Sequence, residues 1–278
     1  MDTSGLTVRE FLRYAVGCGS WEWVRHDFAA EFDELRKNDA LTPGGVSPTL
    51  WQTSSKFVLK LTTGCGCAVY KNSFLIRYGA KYWLRPSPSA MEAFNMMRLA
   101  RMGFPVPELL AVGETRKFRS LKSSFLVSSF IESRDGRDFR HNGIHAADEM
   151  LKMRFCSEHL KLLAKLHNRG FLHRNFTPFN LLYRQDGNTW HSWWIDLATC
   201  RRAYGITLRD ISGEIFKLFR LLQLSPEQTR ELVRDYVTAA QRPQDDIDKL
   251  CVFLEKRRLE KQKKEQLKSK STAHDQRG

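Results

Sequence analysis

The sequence contains no run of about 18 apolar residues, so a helix that crosses a bilayer is excluded. Its first residues, MDTSGLTVREFLRY, carry no apolar stretch and no cleavage pattern, and a secretory leader is not expected. The six cysteines, Cys18, Cys65, Cys67, Cys156, Cys200 and Cys251, are scattered. Only Cys65 and Cys67 are close, and nothing nearby completes a zinc-ligand set; their simplest reading is as small strand residues. No internal repeat is present. These absences argue against a spanning, disulfide-stapled or zinc-built protein. They lead to the expectation of a cytoplasmic chain with reduced thiols.

What the sequence has in excess is positive charge. Of 278 residues, 45 are Lys or Arg and 31 Asp or Glu, a net of +14. Hydrophobic residues at 42% are enough for a core, which rules out wholesale disorder. The length suits two domains or one two-lobed unit. The charge favours a polyanionic partner: nucleic acid, a nucleotide, an anionic membrane or a glycolipid. No basic motif with interleaved aromatics stands out, so nucleic acid is not expected. The stretch 255–278 holds nine Lys/Arg against four Asp/Glu and almost no apolar residue after Leu259. It reads as a frayed helix becoming a basic, disordered tail, either simply solvated or in contact with an anionic surface.

Hydrophobic spacing divides the remainder. Val8, Phe11, Leu12 and Ala15, then Phe28, Phe32 and Leu35, recur with helical period, so residues 1–44 read as a helical extension ended by Thr42-Pro43-Gly44-Gly45. Leu50–Gln52, Phe57–Leu61 and Ala68–Tyr70 read as short strands. A helix from Ala90 to Met102 stops at Gly103, and two more strands follow at Leu109–Gly113 and Phe125–Ile131. Beyond residue 132 the chain turns helical, with a long amphipathic segment from Ala146 to Asn168. A hairpin is expected at Leu181–Tyr183 and Trp193–Ile195 around a turn at Gln185–Asn188, and helices return between Asp210 and Ala240.

Chemistry concentrates in one stretch. A helix ends at Gly170, a loop presents His173-Arg174-Asn175, and Asn180 opens a strand; sixteen residues later a second strand ends in Ile195-Asp196-Leu197. An Asn and an Asp at the ends of hairpin strands offer hard oxygen ligands suited to a phosphate-bound Mg²⁺. The pattern resembles the catalytic and metal-binding loops of the protein-kinase-like fold. Lys71, ending Ala68-Val69-Tyr70-Lys71, and Glu92, twenty-one residues on, match the strand lysine and helix glutamate that pair in kinases.

Trp83-Leu84-Arg85-Pro86-Ser87, Glu92, Arg98-Leu99, Gly103-Phe104-Pro105-Val106-Pro107-Glu108 and Leu208-Arg209-Asp210 through Tyr236 are similar to the lipopolysaccharide kinases of the Kdo/WaaP (InaA-related) family. This resemblance covers about residues 48–240. It implies an α+β, bilobal protein-kinase-like fold, with a β-rich N-lobe at 45–131 and a helical C-lobe at 132–254. It implies ATP and Mg²⁺ as cofactors. Lys71 would grip the phosphates, oriented by Glu92; Asn180 and Asp196 would be the metal ligands; Asn175 would stand at the catalytic position. The acceptor would be heptose or Kdo of the lipopolysaccharide core, or another anionic glycolipid. The protein would be cytoplasmic and would touch the cytoplasmic face of the inner membrane.

Two departures accompany the resemblance. The catalytic loop of kinases has Asp where this chain has Asn175, and an amide cannot take a proton from a hydroxyl. Both a phosphotransferase and a pseudokinase with a regulatory or scaffold role therefore stay open. No G-x-G-x-x-G precedes Lys71; Thr53-Ser54-Ser55-Lys56 is the alternative phosphate-holding turn. Asp210 is either the aspartate that braces the catalytic loop or a helix cap. His173 reads as a structural hydrogen-bonding residue in preference to an acid or base. Trp190, Trp193 and Trp194 read as core or hairpin-face residues in preference to a sugar-stacking platform.

Overall fold

The computed structural model describes residues 19–64, 66–74, 82–83, 85–139 and 148–275, with side chains to residue 267. The expected helix around Val8, Phe11, Leu12 and Ala15 lies outside the described residues, as do Cys18, Cys65, Leu84 and the expected helix start at Ala146. The fold is α+β and protein-kinase-like. It divides into two compact units, Met1–Glu132 with Trp193–Thr199, and Ser133–Ser192 with Cys200–Gly278.

The first unit is built on six antiparallel strands: β1 (Trp21–Val24), β2 (Thr49–Gln52), β3 (Lys56–Thr63), β4 (Gly66–Ser73), β5 (Leu109–Lys117) and β6 (Ser120–Ser129), in the order β1-β5-β6-β4-β3-β2. Alternation sends Phe57, Leu59, Leu61, Ala68, Tyr70, Ala111 and Val127 into one core. Helix α1 (Ala29–Lys37) closes that core with Phe32, 5.7 Å from Phe125, and Phe28 precedes it. Helix α2 (Pro88–Arg101) packs on β5 and β6.

Residues 21–24, expected to be helical, form a strand instead. Trp-Glu-Trp-Val is aromatic and β-branched, and its register with β5 runs from Trp21↔Glu114 to Val24↔Ala111. The partner lies some ninety residues away in sequence, beyond the reach of a local pattern.

The second unit holds β7 (Arg134–Asp135), α3 (Glu149–Asn168), β8 (Phe171–Leu172), the hairpin β9 (Leu181–Asp186) and β10 (Thr189–Trp194), β11 (Arg201–Arg202), α4 (Leu208–Phe219), α5 (Pro226–Ala239) and α6 (Asp246–Asp275). The last two residues of β10 are counted with the first unit. Leu160, Leu163, Ile211, Ile215, Leu232, Val233 and Tyr236 are fully buried where the helices meet. Gly187, at φ +58, turns the hairpin.

In the tail, α6 continues helically through Asp275. Lys, Glu, Gln and Leu, frequent in it, are strong helix formers. Glu255–Arg258 and Lys261–Glu265 pair at helical spacing. Ile247, Leu250 and Leu254 anchor the beginning of the helix.

One buried ion pair ties the sheet to the approach of α2. Arg116 Nε donates to Glu114 Oε1 at 2.5 Å, and the two side chains are 1% and 0% exposed. The same guanidinium donates to the carbonyls of Tyr82 (2.7 Å), Arg85 (3.0 Å) and Arg119 (3.0 Å), while Glu114 Oε2 accepts from the Ser87 N–H. Removing one partner leaves a buried, uncompensated charge. Arg116→Met is expected to lower unfolding free energy by about 3–5 kcal/mol. Adding Glu114→Gln should recover part of that loss. Urea midpoints of the two single variants and the double variant measure both.

Candidate active site

Lys71 sits in the middle of β4, between Val58 of β3 and Leu126 of β6. Strand alternation turns it away from Tyr70 and the aromatic core, toward the face that carries α2. Ser87 caps that helix, its side chain accepting from Ala90 N–H, and Pro88 takes the first helical position where no amide is needed. Lys71 Nζ meets Glu92 Oε1 at 2.7 Å; the glutamate side chain is 10% exposed and the lysine 27%. The charge-assisted bond fixes the ammonium while leaving part of it accessible.

Asp196 belongs to the same unit. Asn95 Nδ2, one helical turn beyond Glu92, donates to Leu197 O at 2.7 Å. On the other side Trp194 N–H donates to Pro105 O at 3.0 Å, and its fully buried ring stacks on Phe104. Between these anchors Asp196 is held at φ +56. That left-handed conformation costs roughly 1–2 kcal/mol for most residues with a Cβ, and Asp tolerates it better than most. Asn95 was not singled out from the sequence. Its signal was an amide among the buried Ala93, Met96 and Leu99 of α2, which demands a partner.

In the second unit the loop after β8 carries His173, Asn175 and Asn180. Glu214 of α4 accepts from His173 N–H (3.1 Å) and from Arg174 N–H, and His167 Nε2 lies 3.0 Å from it. His167 Nδ1 meets Tyr236 OH at 2.6 Å. Since a carboxylate only accepts, Nε2 carries a proton toward Glu214. Lys217 donates to Arg174 O, and Arg174 itself is left-handed at φ +63. Burial pushes the Glu214 carboxyl up, but the His167 hydrogen bond and charge, with the His173 and Arg174 contacts, win and hold it below the ordinary carboxylate range.

Glu214 therefore braces the loop, not Asp210. Asp210 instead completes a capping box with Thr207, accepting from Thr207 Oγ1 at 2.6 Å and from its N–H at 3.1 Å. A glutamate one turn further on, amid Ile211, Ile215 and Leu218, was the legible sign of a buried brace.

His173 is fully buried. Its Nδ1 accepts from Asn175 N–H at 3.3 Å, and burial pushes its ring down to about 4. It is neutral at pH 7 and supports the loop. Asn175 O accepts from both Thr177 N–H (2.8 Å) and Asn180 Nδ2 (2.9 Å). The amide nitrogen of Asn180 is thus committed to the backbone, which turns Oδ1 the other way. Gly136 is needed beneath this loop: a Cβ there would lie 2.8 Å from Pro178 Cα.

Lys71, Glu92 and Asp196 lie in the first unit, Asn175 and Asn180 in the second. The described residues hold no group of three or more His, Cys, Asp or Glu arranged around a metal. The two expected ligands, Asn180 through Oδ1 and Asp196, are nonetheless hard oxygen donors with anchored backbones, the chemistry that Mg²⁺ takes with phosphate oxygens and water. The turn Thr53–Lys56 closes on itself: Thr53 Oγ1 accepts from Lys56 N–H at 3.2 Å and Ser55 N–H at 3.4 Å. Trp190 stacks on Tyr183 at 5.1 Å, under Arg154. No helix among the described residues is long and apolar enough to cross a membrane.

Two buried imidazoles make acid stability predictable. Burial lowers His159 to about 3 and His173 to about 4, from an ordinary 6.5. Between those values the unfolded chain binds protons that the folded chain refuses, so stability rises with pH. The full contribution is present above about pH 6.5 and is lost progressively as the pH falls toward 4. Urea unfolding across that range should show this acid limb, and His159→Phe should flatten it. An unchanged limb would contradict the assignment.

Comparisons with known proteins speak to family and fold. The solved structure of "WaaP in complex with acyl carrier protein" superposes with a TM-score of 0.57 at 16% identity, covering 85% of this chain and 97% of that one. At that identity the likeness concerns the fold. No curated protein matches the sequence. The sequence matches the lipopolysaccharide kinase (Kdo/WaaP) family over residues 75–236, more than half of its length, and the chain belongs to that family of kinases of lipopolysaccharide biosynthesis.

Proposed function

We propose that this chain is an ATP-dependent phosphotransferase acting on a sugar hydroxyl, heptose or Kdo, of the lipopolysaccharide inner core, working in the cytoplasm at the inner face of the membrane. The observation that carries the reading is the Lys71–Glu92 pair at 2.7 Å in a chain of this family. Its ammonium is aligned by a buried carboxylate and is suited to the α- and β-phosphates of ATP. Asn180 and Asp196 would hold Mg²⁺, which neutralises charge on the phosphates.

In the transfer, the acceptor oxygen bonds to the γ-phosphorus as its bond to the β,γ-bridging oxygen breaks, leaving ADP. Asn175 accepts a hydrogen bond from the hydroxyl and aims it. An amide does not keep the proton, which passes to the transferred phosphate or to water. General-base help is worth roughly 10²–10⁴ in rate. Positioning and charge neutralisation carry most of phosphoryl transfer, and Lys71, Asn180 and Asp196 are residues suited to both.

Asn175 also favours a second reading, a pseudokinase with a regulatory or scaffold role. The two separate in one experiment. Calorimetry should show Mg-ATP binding that is lost in Lys71→Ala and Asp196→Ala. Phosphotransfer should be measurable in the natural chain, faster in Asn175→Asp and abolished in Asp196→Asn. Activity confined to Asn175→Asp would establish the pseudokinase and overturn the first reading.

A further inference from the structure

The hairpin between β5 and β6 turns through two residues, Phe118 and Arg119, with Lys117 paired to Ser120. Both central residues have positive φ, +49 and +64. Two-residue turns of this kind are the ones that Asn-Gly fills, because an ordinary Cβ is strained there. Phe and Arg are poor choices for folding. Packing does not compensate, since Phe118 is 87% exposed.

A second exposed aromatic stands beside it. Arg116 Nη1 donates to the carbonyls of both Arg119 and Tyr82, so the turn and the Tyr82–Trp83 segment hang from one buried nitrogen. Trp83 is 53% exposed. Arg85, Lys117, Arg119 and Lys122 lie within four residues of one ring or the other in sequence, all on the surface. Across 82–88 and 114–123 the one acid is Glu114, which is buried and neutralised by Arg116.

From this combination we propose that the β5–β6 tip with Trp83 is a membrane-docking point that inserts its rings among anionic lipid headgroups. Aromatic rings suit the headgroup level, and cations around them meet the negative potential of an anionic leaflet. A protruding tip fits a fluid interface, where no preformed pocket is required. The inference rests on the reading of the acceptor as a membrane glycolipid, and it supplies the surface that brings the enzyme to it.

The test uses the intact protein without nucleotide or acceptor. Wild type should sediment with vesicles of phosphatidylethanolamine and phosphatidylglycerol and much less with phosphatidylcholine alone. Arg119→Gln should weaken binding about fivefold, and Phe118→Ser at least about tenfold. The pair Phe118→Asn with Arg119→Gly should raise the melting temperature, by relieving the turn, while abolishing vesicle binding. Mg-ATP binding should stay unchanged in all three, which separates failure here from failure of the proposed function. Vesicle binding that survives these substitutions would overturn the proposal. So would no binding by wild type, or self-association of wild type lost in the same variants, which would assign the patch to a second copy of the chain.

Discussion

A carboxylate taken out of water must find donors or give up its charge. Glu214, 4% exposed, finds them in the backbone of His173 and Arg174 and in the ring of His167. The loop that presents Asn175 and Asn180 takes its shape from this arrangement. With two of its amides committed to a helix side chain, the segment accepts a left-handed Arg174 and turns back so that Asn175 O can receive Asn180 Nδ2. His167 is held from behind by Tyr236, and Pro178 rests on Gly136. A buried network of this kind is rigid because each member is satisfied by another.

The first unit solves a similar problem with different groups. Asp196 is strained at φ +56 and kept there by Asn95 and by the Trp194–Pro105 bond. Asn95 lies one turn from Glu92, so a single helix positions both the partner of Lys71 and the segment of Asp196. The start of that helix is in turn set by the Glu114–Arg116 pair through Ser87, Arg85 and Tyr82. Buried polar bonds, more than apolar packing, determine where the chemical groups stand.

Much of this was legible in the sequence because it is local. Alternation gave β3 through β6, Gly103 and Gly170 marked helix ends, and the resemblance to kinases at Lys71 and Glu92 anticipated the pair that forms. Trp21–Val24 was missed because a strand at a sheet edge is defined by a distant partner. The helical run of 255–275 rests on propensity and ion pairs where no apolar stripe exists, so hydrophobic spacing does not mark its extent. Asp210, read as either loop brace or helix cap, is the cap, and Glu214 braces the loop: both lie on α4, and only side-chain reach separates them. Asn95 and Arg116 left a fainter sign, polar residues in otherwise buried positions, whose partners the chain alone does not name.

The chemistry comes down to Asn175. Family and fold supply the context, and the proposed phosphate-side residues Lys71 and Asn180 are each fixed by a side-chain hydrogen bond. The departure that bears on the proton is an amide at the catalytic position; under the proposed function, positioning and charge carry the reaction without a base. A single-turnover assay with γ-labelled ATP and dephosphorylated core oligosaccharide tests this most directly. The account predicts slow but complete transfer of label to the sugar by the natural chain at neutral pH. Label that stays in ATP, with excess enzyme and Mg²⁺ bound, would contradict it.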